Sequence, residues 1–244
     1  MKKTRVFLIM MAMLMPMLVA GCAGKNTGQD SMAGHDMSMM MHHQHTLMNH
    51  GISMVTEGSN TIMVAYMDMA PKVDAIAHEH GHLMMNMGKS VINEQLSGKE
   101  MQDMMVGGDA KTQPMQYTHE LGEAILVYVN LLENMAKTGK MPADMMAMHH
   151  QHLLINHAVD MAAQGSNMVM LGNMDMAGGI DKYSVDHGKM MLNNAQALLT
   201  EVMSGDAMMG MHKKGKTPEG HADMASTHRL GEAAMKVVHL LTKM

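Results

Sequence analysis

The chain has one cysteine, Cys22, among 244 residues, no tryptophan and a single phenylalanine. One thiol cannot close an intrachain disulfide, and within a single chain it rules out a thiolate metal site. No Cys-x-x-Cys-His motif is present, which excludes c-type haem. Charged residues make up only 17% of the chain, the net charge is −5 with histidines neutral, and no run of five basic residues occurs. Nucleic acid is therefore a poor partner. Alternating β-branched runs bounded by turns are missing as well, so strand signals are weak.

What fills the gap is methionine, at 42 positions, together with 18 histidines; all but six of the methionines and all of the histidines lie beyond Cys22. Thioether sulfur suits copper(I) and silver(I), imidazole is a borderline donor, and hard cations need more carboxylates than this chain brings. Zinc rarely recruits methionine. A di-iron carboxylate bundle needs four Glu with Glu-x-x-His pairs. The matched helix carboxylates here are chiefly Glu94/Glu201 and Glu123/Glu232. A b-type haem held by His and Met is a minor alternative.

The N-terminus reads as a targeting segment over residues 1–22. Lys2, Lys3 and Arg5 precede an apolar run from Val6 to Leu18, and Val19-Ala20-Gly21-Cys22 resembles a lipoprotein signal-peptidase box. The run is short for a bilayer span. Cys22 is thus expected to carry lipid and anchor the protein to a membrane, with the body facing the bacterial periplasm; Ala23, in place of Asp, favours the outer membrane over the inner. In such an oxidising space thiols are lost to disulfides, whereas a thioether stays a usable soft donor unless it becomes a sulfoxide. Residues 23–37 are rich in Gly, Asn, Ser and Asp and read as a flexible tether.

The remainder is a tandem repeat. A shift of 107 positions lays MHHQHTLMNHGISM (Met41 to Met54) on MHHQHLLINHAVDM (Met148 to Met161), and 27 of the 64 pairs through Met104/Met211 are identical. After a two-residue slip, Met115 to Met135 aligns with Met224 to Met244. The expected fold class is all-α, with two tandem helical-bundle repeats of about 100 residues at 38–138 and 139–244, each long enough to bury its own core. Within the first repeat a helix is expected over 38–57, stopping near Gly58. A short helix through Met69, a long one from Pro71 to Leu96, a Met-rich turn and a last helix from Met115 to Ala136 follow. A Gly-Lys-Met-Pro joint near 139–142 separates the repeats.

Candidate ligands follow helical spacing. His43, Leu47, His50 and Met54 lie on one helix face and recur as His150, Leu154, His157 and Met161. His80 and Met84 recur as His187 and Met191. Met115, His119 and Glu123 recur as Met224, His228 and Glu232. Three helices thus bring imidazole and thioether toward a shared interior, with the two glutamates also candidates for orienting their histidines. Against this stands packing: methionine fills irregular cores well, and Met63, Met67, Met101 and Met104 read as filler. His42/His149 and His45/His152 are assigned by helical angle to an outer face, as a weaker outer site.

The motifs MHHQH, HTLM (His45 to Met48), HGKM (His187 to Met190) and HADM (His221 to Met224) resemble the Met/His pairs of periplasmic silver- and copper-resistance proteins. Met145 to Ala162 is similar to the M-x-x-H-H…A-x-x-M-A helix of ferritin-like periplasmic copper-binding proteins. The resemblance implies soft-metal sequestration at the envelope, with the residues above as ligands. The expectation is a non-enzymatic copper(I) and silver(I) binder, its partners being the membrane and copper chaperones or efflux components. A cuprous oxidase and an oxidant-absorbing lipoprotein are the alternatives.

Overall fold

A computed structural model describes residues 29–67, 69–98, 113–136, 146–204 and 222–243. The chain divides into two compact units, Met1–Met37 and Ser38–Met244; only residues 29–37 of the first are described. Six helices and no strand occur among the described residues, so the fold is all-α. They are α1 (Gln29–Ala65), α2 (Pro71–Ser97), α3 (Gln113–Ala136), α4 (Met146–Gly172), α5 (Gly179–Ser204) and α6 (Ala222–Leu241). Cys22, the Met-rich turn after Ser97 and the joint near 139–142 lie outside the described residues. Helix α1 begins at Gln29, so residues 29–37, expected as tether, are helical.

Helix α1 also runs unbroken through Gly58, against the expected stop. Gly58 is there for packing: a Cβ on it would sit 2.6 Å from the Gly81 carbonyl oxygen of α2, and one on Gly81 would sit 2.6 Å from the Gly58 oxygen. The backbones of α1 and α2 approach too closely for any side chain. Gly165 and Gly188, the counterparts of these two, bring α4 and α5 together in the same way, at 2.8 and 2.5 Å. A second glycine pair, Gly51 and Gly88, tightens only the first crossing, because Ala158 and Ala195 hold those places in the second half. Each second helix carries an aspartate in its first turn. The Asp74 carboxylate accepts the Ala70 N–H at 2.7 Å, and Asp181 accepts that of Ala177, placing negative charge at the positive end of the helix dipole.

The first and fourth helices form the centre, antiparallel to one another. Asn49 donates through Nδ2 to Ser166 Oγ (3.2 Å) and Asn167 Oδ1 (2.8 Å), while Asn156 donates to Ser59 Oγ (3.2 Å) and Asn60 Oδ1 (2.8 Å). Exchanging the halves carries one set of bonds onto the other. One continuous apolar core follows from this crossing, drawing on Ile52 and Val55 of α1, Ile125 and Leu132 of α3, Ile155 and Val159 of α4, and Leu230 and Val237 of α6. The expectation that each repeat encloses its own core is therefore corrected: both halves share one core within a single compact unit. Asparagines pair across the centre because a buried amide costs stability unless its hydrogen bonds are met.

Candidate metal centre

The residues that bury α1 are His45, Met48, Asn49, Ile52, Val55, Thr56, Ser59, Ile62 and Met63. In a helix of 3.6 residues per turn they form one stripe, and His43, Leu47, His50 and Met54 fall on the opposite side. His43 and His50 are exposed, and so are His150 and His157 on α4. His80 is exposed on α2; Met84, His187 and Met191 are half-buried. Met54 rests its Cβ against Gly88, and Met161 packs on the core.

His119 and His228 are half-buried and do meet their glutamates, with Nδ1 of His119 3.7 Å from Glu123 and Nε2 of His228 3.2 Å from Glu232. The side chains of Met115 and Met224 lie outside the described residues. Among the described residues no three His, Cys, Asp or Glu side chains converge. The interior expected from four histidines per half is therefore not assembled from His43, His50, His80 and His119.

The histidines that do reach the interior are His45, His149 and His152, all expected on the outer face. His45 is 5% and His152 1% exposed. They lie one and two turns along the helix from Met48 and Ile52, or from Ile155 and Val159, in phase with the buried stripe. Phasing the helix on its branched apolar residues rather than on its histidines would have found them. Each ring is held by a threonine from the last helix of its own half: Nε2 of His45 lies 2.7 Å from Thr118 Oγ1, and Nε2 of His152 lies 2.5 Å from Thr227 Oγ1.

Burial, and next the neighbouring His42 or His149, lowers both imidazoles from 6.5 to about 4, so both are neutral near pH 7. The Nδ1 atoms of His152 and His149 are buried with no hydrogen-bond partner among the described residues. A neutral imidazole that donates from one nitrogen offers a lone pair at the other, the usual state of a metal-ligating histidine.

At the α1 end of the central crossing, the antiparallel register sets Met63 opposite His152. Around them lies a small, partly open cavity of about 20 Å³ lined by Ser59, Ile62 and Met63 of α1, Tyr66 in the turn just after it, Leu132, Met135 and Ala136 of α3, and His152 of α4. Tyr66 donates its hydroxyl proton to the Ala136 carbonyl at 2.5 Å, and this bond closes the wall between α1 and α3. On its other side Tyr66 stands 3.4 Å from Nε2 of His78, whose ring meets that of His82 edge-on at 4.5 Å between centroids. This i, i+4 histidine pair has no counterpart in the second half, where Val185 and Lys189 take its place. The chain matches no protein-family model, no curated protein and no solved structure.

Proposed function

We propose that this chain is a lipid-anchored envelope protein that binds copper(I), and silver(I) with it, for sequestration, storage or resistance, with no catalysis of its own. The observation that carries the reading is the joint excess of thioether and imidazole in a chain with a single thiol. Those donors suit soft monovalent ions and few others. Their disposition supports it: outward-facing His43, His50, His80, His150 and His157 offer low-affinity surface donors beside half-buried Met54, Met84, Met161 and Met191. His228 with Glu232 at 3.2 Å offers an imidazole oriented by a carboxylate, and His119 has Glu123 nearby at 3.7 Å. The matched helix crossings of the two halves support descent by duplication, which would double the number of sites. Among the described residues no helix is long and apolar enough to cross a membrane; the proposed anchor is a lipid on Cys22.

Anaerobic titration of the full-length protein in detergent with copper(I), against a competing chelator and with native mass spectrometry, tests this reading. Tight uptake of discrete ions is expected, together with loss of the weaker ions when His43, His50, His80 and their counterparts are replaced by glutamine. Failure to compete with the chelator would remove the reading. In that event the second reading, a sacrificial oxidant sink, gains ground. It is favoured by Met69 and Met176, equivalent residues that are 83% and 80% exposed. Rapid and selective sulfoxide formation at those two positions would mark it.

A further inference from the structure

None of the surface donors His43, His50, His80, His150 and His157 lines the cavity between α1, α3 and α4. We propose that His152, Met63 and Met135 form a single-ion site for a soft monovalent cation, buried between α1, α3 and α4, where one half supplies the thioethers and the other supplies the imidazole. The proposal rests on the soft-metal reading and adds the ligands, their place between helices and the asymmetry to it.

Three observations converge on this cavity. Its volume of about 20 Å³ matches one small particle, since roughly 10–15 Å³ suffices for a single water. Its lining brings two thioethers and one imidazole together with no carboxylate and no thiolate. Such a donor set disfavours zinc, calcium and magnesium and favours copper(I) or silver(I). Finally, His152 is 1% exposed, its Nε2 is engaged by Thr227, and its Nδ1 has no hydrogen-bond partner among the described residues. A buried polar atom left unmet normally costs stability, and coordination of an ion by that lone pair removes the cost.

Thr227 is then a positioning residue, holding the ring from outside the site. The equivalent end of the crossing keeps His45 and Met170 but sets Asn173 where Tyr66 stands. The counterpart of Met135 is Met244, which lies outside the described residues, so the site is proposed only at the Tyr66 end.

The test is silver(I), a diamagnetic stand-in for copper(I), added anaerobically to the full-length protein in detergent with its methionine methyl groups labelled with carbon-13. The Met63 and Met135 resonances, assigned from M63L and M135L, are expected to shift together and to saturate at one ion per chain. Leucine conserves core volume here, so both variants fold. Each should bind its tightest ion at least ~10-fold more weakly, and T227V should do so by ~10- to 100-fold, the usual effect of removing an orienting partner. M170L should change nothing at the tightest ion. If other methionines respond while Met63 and Met135 stay still, the inter-helix site is wrong and the soft-metal reading stands. If no methionine responds at all, both fall.

Discussion

The two ends of the central α1–α4 crossing are built from matching residues and differ in what surrounds them. At one end Met63 faces His152, and at the other the same register sets Met170 opposite His45; both histidines lean on a threonine. The first end has Tyr66 across the mouth of a cavity, and Tyr128 donating to Asn156 Oδ1 at 2.6 Å. The second end has Asn173 and Val237 in those places, and Asn49 Oδ1 is left buried with no partner among the described residues. The chain has four tyrosines, and two of them serve the first end. Duplication of a helix register thus copies the buried imidazoles, whereas the aromatic residues around the first end have no counterpart at the second.

The largest expected effect removes what the ends share. Between pH 6.5 and about 4 the unfolded chain takes up protons at His45 and His152 that the folded metal-free protein refuses. Stability therefore falls as pH drops through that window and is indifferent to these groups above it, by about 3 kcal/mol for each histidine. Urea unfolding at pH 7.5, 5.5 and 4 measures this, and H45Q or H152Q should each flatten about half of the decline. Equal steepness in both variants and the parent would show that the rings are not buried.

Next comes the crossing itself. Gly88→Ala puts a methyl 2.5 Å from the Gly51 oxygen, for which overpacking predicts a loss of about 1–3 kcal/mol. The reverse change at its counterpart, Ala195→Gly, should cost about 1 kcal/mol through helix propensity. Thermal unfolding of the pair compares them; identical losses would mean that the two crossings are equally open.

The Tyr128 bond makes Asn156 the better satisfied of the two central amides. Asn156→Leu leaves a tyrosine hydroxyl, Ser59 and Asn60 without their partner, whereas Asn49→Leu also deletes a carbonyl that was already unmet. The first should be worse by about 1 kcal/mol, and adding Y128F should narrow the gap. The smallest effect is at the Lys89–Glu133 ion pair, at 2.6 Å, which Gln196 and Thr242 replace in the second half. Lys89→Met should cost about 0.5 kcal/mol, and less in high salt.

Much of the architecture was legible. Helix α2 starts at Pro71 and ends at Ser97, as the proline and the Ser-Gly pair indicate, and α3 covers the expected span. Gly58 misled because glycine carries two meanings in a helical stretch: it ends a helix when nothing packs on it, and permits contact when another helix does. The histidines misled for a similar reason. His43, His50 and Met54 do share a face, but periodicity alone does not say which face is inside. Ile52, Val55 and Ile62 settle that, since burying branched apolar surface outweighs what a few imidazoles gain from the interior. Met63 read as filler and is filler in part; only its partner across the crossing gives it a second role.

Composition and periodicity alone determined that this chain is helical, internally repeated, rich in soft donors and without thiolate sites, because those properties reside in residue counts and in spacings of a few residues. Tertiary structure decided which donors meet. His152 and Met63 are 89 residues apart in the chain. They come together through an antiparallel register set by glycine contacts and buried asparagines elsewhere on the same helices, and such a register is a property of surfaces in contact, which no single helix carries.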